Sequence, residues 1–292
     1  MRAVSDLTGR VAVVTGSSRG IGKGVAHVLG ERGATVYVTG RTVTGGSSEL
    51  PGTIGETAAE VTRRGGVGIP VRVDHHDDSS VAALFARVAD ESGQIDILVN
   101  SASTLDSKAD RLRSRPGFWD QDLGEWEKFH DIGLRSHYVA SAYAARLMVP
   151  RRSGLIVNVS SAGAVTYYMS AAYGSAKAAL DKLSHDMAHE LAPYGVSVVS
   201  IWPGQVRTEM GLWMSEHGIM DISAAETPEL SGRAVAAMAT DARIAERSGR
   251  AFYTADLASD YDFTDVDGSV PQRPVMSDIV RTTPAAIPPT TR

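Results

Sequence analysis

Tyr173 and Lys177 stand four residues apart within NVSSAGAVTYYMSAAYGSAKAAL, at the start of a strongly helical run. Residues at i and i+4 share one helix face, so a phenol and an ammonium placed there meet over the same ligand. A tyrosine titrates near ~10 when unperturbed, and an adjacent cation lowers this by about 1 to 3 units. The pair is read as a proton donor and acceptor, with Lys177 bringing Tyr173 towards neutral pH. The chain holds only five lysines (Lys23, Lys108, Lys128, Lys177 and Lys182), and no other lies four residues after a tyrosine. Ser160 and Ser161 close the preceding β-branched run, where a hydroxyl can hydrogen-bond the oxygen of a carbonyl or alcohol.

A second constellation lies near the N-terminus. The run TGSSRGIGKG places Gly16, Gly20 and Gly22 between a strand and a helix, so the backbone can approach a pyrophosphate and the helix can offer its amides. Ser18, Arg19 and Ile21 belong to the same turn. Lys23 is followed by Gly24 rather than Ser or Thr, which excludes a P-loop. NAD-selective sites place an acidic residue at the end of the second strand, but here the stretch reads Thr39, Gly40, Arg41, Thr42, with no carboxylate before Glu49. Arg19 and Arg41 can both face a 2′-phosphate, which favours NADP(H) and makes NAD the lesser expectation.

Elements that position these residues follow from periodicity. Val11 to Thr15, Thr35 to Thr39, Val67 to Val73, Ile95 to Asn100, Leu155 to Ser160 and Val196 to Ile201 read as strands covered on both faces. Helical patterns alternate with them near Gly20 to Glu31, Glu56 to Arg64, Val81 to Glu91, Leu123 to Met148, Ala172 to Leu191 and Pro228 to Thr240. The expected fold is α/β: a single Rossmann-like, doubly wound parallel sheet of about seven strands with helices on both faces. Thr42 to Gly55, Ser103 to Asp122 and Thr208 to Thr227 fall outside the pattern, and the last two are expected to be substrate loops. Residues 1–270 are read as one domain and 271–292 as a Pro/Thr-rich tail.

Composition bounds the function. Of 292 residues, 43% are apolar and 22% charged, enough for a sizeable core. Lysine and arginine total 29 against 34 acidic residues, a net charge of −5 that offers no footprint for nucleic acid or an anionic membrane. Cysteine is absent, which removes disulfides, thiolate metal sites and cysteine nucleophiles and suits a reducing, cytoplasmic setting. Neither a signal-peptide stretch nor a membrane-length apolar run is recognised.

TGSSRGIG, Asp74, Asn100, Ser160, Tyr173-x-x-x-Lys177 and Pro203-Gly204, in this order and spacing, resemble the short-chain dehydrogenase/reductase family over about residues 8 to 256. The resemblance implies an NAD(P)-dependent enzyme acting on a CH–OH or C=O group of a small molecule. It implies that Tyr173 exchanges the proton, Lys177 lowers its pKa and holds the nicotinamide ribose, and Ser160 polarises the carbonyl. Adenine contact by Asp74, cofactor contact by Asn100 and amide binding near Val206 and Thr208 are implied as well, as is a homodimer or homotetramer built on the two long helices. Within the family, GLRSHY, YAARLMVP, LDKLSHDMAHEL, SIWPG, AETPELSG and DVDG resemble the subgroup of dehydrogenase/reductase member one.

Two departures stand out. The family's Asn-Asn-Ala-Gly is here Asn100-Ser101-Ala102-Ser103, and the helical asparagine of its proton relay aligns with Asp131. A carboxylate at Asp131 is expected to hold a relay water and oppose the Tyr173 phenolate. These departures support a rival reading, an NADP(H)-binding sensor or scaffold with little or no turnover. The adjacent serines leave a choice, since Ser160 lies 13 residues before Tyr173 and Ser161 lies 12, and family spacing favours Ser160. No metal is expected: His75-His76-Asp77-Asp78 and His185-x-x-x-His189 read as a solvated turn and a polar helix face. Trp119, Trp126, Trp202, Trp213, Tyr167 and Tyr168 hint at an apolar pocket for a bulky ketone or aldehyde.

Overall fold

The computed structural model describes residues 6–104 and 117–273. Seven strands form one sheet in the order β3-β2-β1-β4-β5-β6-β7: β1 (Val11–Val14), β2 (Thr35–Gly40), β3 (Val67–Arg72), β4 (Ile97–Asn100), β5 (Gly154–Val159), β6 (Val196–Trp202) and β7 (Ala251–Tyr253). Every pairing is parallel, with Val13 opposite Tyr37 on one side and Leu98 on the other. The expected α/β architecture is therefore present. β7, only three residues long, falls where the sequence pattern showed no strand.

Alternate residues of each strand feed opposite cores. In β1, Ala12 and Val14 pack on the face covered by α1 (Gly20–Glu31) and α2 (Ile54–Arg63), while Val11 and Val13 pack under α3 (Asp78–Ser92). Large side chains such as Leu29, Leu98 and Ile156 lose their solvent exposure entirely, and burying each contributes about 1.5–3 kcal/mol. After β4 come α4 (Gly124–Glu127), a π-helical stretch at Lys128–Arg135, and α5 (Ser136–Met148). The remaining α-helices are α6 (Ala171–Leu191), α7 (Glu209–Glu216), α8 (Pro228–Ala239) and α9 (Thr254–Tyr261).

Local chemistry fixes where these helices start. Thr53 and Glu56 form a reciprocal capping box on α2, and Asp77 caps α3 by accepting from Ser79 N at 3.0 Å. Ser170 Oγ accepts from Tyr173 N at 3.1 Å, so the cap of α6 sets Tyr173 in its first turn. Gly24 allows α1 to touch α8, since a Cβ there would lie 2.3 Å from the Pro228 carbonyl carbon.

The chain direction reverses its order at β1 and β4, and the carboxyl ends of these two strands open the crevice where such sheets bind ligands. Among the described residues, no helix is long and apolar enough to cross a membrane. Residues 105–116 of the proposed substrate loop and residues 274–292 of the proposed tail lie outside the described residues.

Candidate active site

A cleft of about 820 Å³ runs along the carboxyl ends of the strands. Gly16, Ser18, Arg19, Gly20, Ile21, Arg41, Asp74, Ser160, Tyr173, Lys177, Pro203, Gly204, Val206 and Thr208 all line it, from segments separated by most of the chain. Gly22 lies beneath the turn instead: a Cβ there would sit 2.6 Å from the Gly16 carbonyl oxygen. Asn100 is fully buried behind the cleft, where its Nδ2 donates to Asn158 Oδ1 at 2.8 Å and Ser141 Oγ at 2.9 Å.

One end of the cleft is built for an anion. Gly20 adopts φ +57°, a conformation glycine takes without strain, and its amide opens α1. The Arg19 guanidinium is drawn onto the insert after β2, donating to Ser48 Oγ at 3.0 Å, Thr42 Oγ1 at 3.2 Å and Gly52 O at 3.2 Å. Desolvation lowers the Arg19 pKa, Glu209 opposes this and the Arg41 charge adds to it. Arg19 Nε is shielded from solvent and has no partner. Two neighbouring cations and an unused donor fit a phosphate. Glu209 sits nearby, accepting from Gly20 N at 2.7 Å and paired with Lys23.

The other end holds the phenol and ammonium. Lys177 Nζ donates to Val159 O at 2.9 Å and lies 5.8 Å from the Tyr173 ring centroid. Desolvation pushes the phenol up to about 12, while a hydrogen bond from Ser161 pulls the other way. The expected lowering of Tyr173 by Lys177 is not what governs this site; loss of hydration does. Lys177 itself is brought down to about 8 by desolvation, with Asp181 opposing. Phe129 and Tyr168 pack edge-on against the Tyr173 ring at 5.3 and 5.9 Å.

The two serines face different ways. Ser161 is the serine that opposes the upward shift of the Tyr173 phenol, and its Oγ accepts from Gly163 N at 3.1 Å. Ser160 turns to the Lys177 carbonyl at 3.4 Å and towards Asp181. Consecutive residues of extended chain point to opposite sides, which explains the division. Family spacing favours Ser160 as the serine that polarises the carbonyl, and both serines line the cleft.

Asp131 is placed outside the cleft. Its side chain is 42% exposed and lies 3.6 Å from His76 Nε2, while Phe129 and Ile132 of the same π-helical stretch line the cleft. Gly133 is buried there, and an added Cβ would meet nothing within 4 Å. Asp131→Asn is accordingly expected to leave the pH profile of turnover superimposable on wild type. A displaced alkaline limb would return Asp131 to the site.

Sequence reasoning passed over Glu226. This buried residue pairs with Val206 in a short bridge and accepts from Thr254 Oγ1 at 3.0 Å, with the Gly204 amide favouring its ionised form. It thus braces the loop carrying Pro203, Gly204 and Val206 from below. Asp265, from DVDG, accepts from Thr227 N at 2.7 Å in AETPELSG, so two motifs distant in sequence meet at this brace. Burial, reinforced by Asp265 and opposed by Thr254 and Gly204, raises Glu226 from 4.5 to about 7. A carboxyl raised on folding contributes stability that is complete below its unfolded value and lost as pH rises through its folded value. Between about pH 5 and about pH 8, wild type is expected to lose on the order of 1–3 kcal/mol relative to Glu226→Gln. Denaturant unfolding at both pH values checks this, and parallel stabilities would contradict it.

The aromatic residues divide as well. Of the six singled out in the sequence, Tyr168 lines the cleft. Trp202 packs edge-on against Tyr253, Trp126 stacks on His130 and Trp213 on His217, and Trp119 is 74% exposed. The apolar lining comes instead from Phe129, Ile132, Met169, Met210, Met214 and Met220. His75 is buried and bonds Thr39 Oγ1 at 2.9 Å, and His185 pairs with Asp186 at 3.2 Å.

The family model described as short chain dehydrogenase matches residues 10–217. The chain belongs to the short-chain dehydrogenase family. It is 42% identical over 277 residues to mouse (Mus musculus) dehydrogenase/reductase SDR family member 1, covering 91% of this chain and 86% of that one, and falls in that subgroup. Cis-4-hydroxycyclohexanecarboxylate dehydrogenase of Sinomonas cyclohexanicum is 34% identical over 244 residues, 80% of this chain and 90% of the relative. The crystal structure of a short-chain type dehydrogenase/reductase from Mycobacterium marinum superposes with a TM-score of 0.70 at 28% identity, covering 85% of this chain and 94% of that one. As a member of the family the chain is an NAD(P)-dependent oxidoreductase.

Proposed function

We propose that this oxidoreductase uses NADP(H) to interconvert a bulky, apolar ketone or aldehyde and its alcohol. The observation that carries the reading is the convergence of Ser161, Tyr173 and Lys177 on one cleft, with Lys177 one helical turn beyond Tyr173. When bound, a nicotinamide cofactor supplies or accepts the hydride. Tyr173, held protonated near neutral pH, gives its proton to the substrate oxygen during reduction and takes it back during oxidation. Ser161 directs that oxygen, and its hydrogen bond favours the phenolate left behind. Ser160 is assigned the supporting place behind Lys177. Arg19 and Arg41 would take a 2′-phosphate, Asp74 the adenine side, and Gly204, Val206 and Thr208 the nicotinamide side.

Support for a carbonyl or alcohol substrate also comes from the name of the Sinomonas relative, a hydroxyl-group dehydrogenase. The methionine-rich lining adapts to irregular apolar shapes, which suits a bulky substrate. The sensor reading loses one of its two supports, because Asp131 faces solvent and leaves the Tyr173 environment intact. A homodimer or homotetramer through α4–α5 and α6, and a cytoplasmic location, belong to the same proposal; light scattering and cell fractionation read them.

Initial rates of NADPH and NADH oxidation against ketones, aldehydes, quinones and steroids test the function. Turnover with an apolar carbonyl and preference for NADPH are expected. Tight NADPH binding without turnover across the panel would favour the sensor.

A further inference from the structure

The helix carrying Tyr173 and Lys177 carries a third polar residue in the same register. Asp181 follows Lys177 by four residues in α6, so the three succeed one another along one face. Trp202 Nε1, at the end of β6, donates to Asp181 Oδ2 at 2.9 Å. Tyr253 of β7 holds that indole edge-on, with ring centroids 5.3 Å apart. The hydroxyls of Ser160 and Ser200 also face the carboxylate and favour its ionised form. Each has another partner, Lys177 O at 3.4 Å for Ser160 and Ser184 Oγ at 2.9 Å for Ser200, and Asp181 Oδ1 stays shielded from solvent without a close donor. A carboxylate kept this way costs free energy, so a compensating charge is required.

Lys177 poses the complementary problem. Its ammonium is desolvated, its hydrogen bond goes to the neutral Val159 carbonyl, and no carboxylate lies within ion-pair distance of it among the described residues. The titratable groups around it are Tyr173 and Asp181 on α6, His137 on α5, and Tyr168 beside Tyr173. His137 is fully buried and brought down to about 3 by burial first and by Lys177 second, so it is neutral and adds no charge. Asp181 is the anion whose field reaches the ammonium.

We propose that Asp181 is a positioning residue, a buried counter-ion one helical turn beyond Lys177 that keeps the ammonium charged while Tyr173 exchanges its proton. The proposal rests on the reading of Tyr173 and Lys177 as the proton-transfer pair. In reduction the proton leaves Tyr173 Oη for the substrate oxygen, and the phenolate recovers one from water. A neutral Lys177 would leave that phenolate uncompensated. Desolvation already brings Lys177 to about 8, and removal of the opposing carboxylate moves it lower still. Trp202 and the two serines serve the same end by keeping Asp181 ionised against the upward push of its own burial.

The test compares wild type, Asp181→Asn and Asp181→Glu by kcat/KM for carbonyl reduction and by NADPH dissociation constant, each across about pH 6 to about pH 10. In the Asn variant the alkaline fall of both is expected to begin roughly one pH unit earlier, near a tenfold deficit at about pH 8 with little change at about pH 6. The Glu variant is expected to restore most of the profile. Superimposable profiles, or a loss uniform in pH and unrescued by glutamate, would overturn the proposal. Should the Asn variant fail to fold, Trp202→Phe removes one donor to the carboxylate and is expected to shift the limb in the same direction by less; an unshifted limb there overturns it too. If wild type binds NADPH but reduces nothing, the proton-transfer reading fails, and the binding profile alone still decides for or against Asp181.

Discussion

Tyr173→Phe is expected to lower kcat for carbonyl reduction by about 10² to 10⁴-fold while leaving NADPH binding nearly unchanged. The phenyl ring retains the edge-on contacts with Phe129 at 5.3 Å and Tyr168 at 5.9 Å, so no cavity opens and α6 keeps its cap through the backbone of residue 173. What disappears is the phenolic hydroxyl in the cleft, and with it the proton that must reach the substrate oxygen. The effect is predicted in kcat because the group acts as charge develops. Steady-state kinetics beside a fluorescence titration of NADPH separate the two quantities. A variant that retains wild-type kcat would assign the proton to another group.

Arg19→Ala is the second large effect. A charged hydrogen bond contributes roughly 1.5–3 kcal/mol, so the ratio of kcat/KM for NADPH over NADH is expected to fall by about 10 to 150-fold. Ser48, Thr42 and Gly52 hold the guanidinium over the cleft, and the partnerless Nε leaves a donor for the phosphate. The loss belongs to NADPH alone, since NADH brings no 2′-phosphate to Arg19. Equal losses for both cofactors, or wild type preferring NADH, would contradict the assignment.

Much of this was legible from residue order because strong local signals agreed with the global fold. Gly20 to Glu31 is a helix by periodicity and in the structure, and the strands found by their β-branched runs occupy the sheet within a residue or two of their expected ends. β7 escaped because Ala251–Tyr253 is too short to show a period. The segment from Thr208 to Thr227, expected as a loop, contains α7, whose start Thr208 caps by accepting from Gly211 N at 3.1 Å. That hydroxyl is a cap as well as a candidate cofactor contact.

The site was legible at the level of segments and less so at the level of side-chain direction. Spacing to Tyr173 does not tell Ser160 from Ser161, because a change of one residue in the intervening loop is silent in sequence while the two hydroxyls face opposite ways. Asp131 was chosen by motif alignment, which carries no information on exposure, and its side chain lies beside His76 and away from the cleft lining. Glu226 and Asp181 read as ordinary acidic residues of helical or loop segments. Only burial beneath Gly204 and behind Lys177 reveals what they touch. The signal for Asp181 was nevertheless available, in the continuation of the four-residue spacing from Tyr173 through Lys177.

The central claim is hydride transfer from NADPH to a carbonyl carbon in this cleft. Its most direct test follows deuterium from NADPH labelled at the nicotinamide C4 into the products of wild-type turnover over a carbonyl panel, analysed by mass spectrometry. One deuterium on the carbinol carbon of an apolar alcohol, lost in Tyr173→Phe, is the predicted result. Saturating NADPH binding with no deuterium in any product would contradict it.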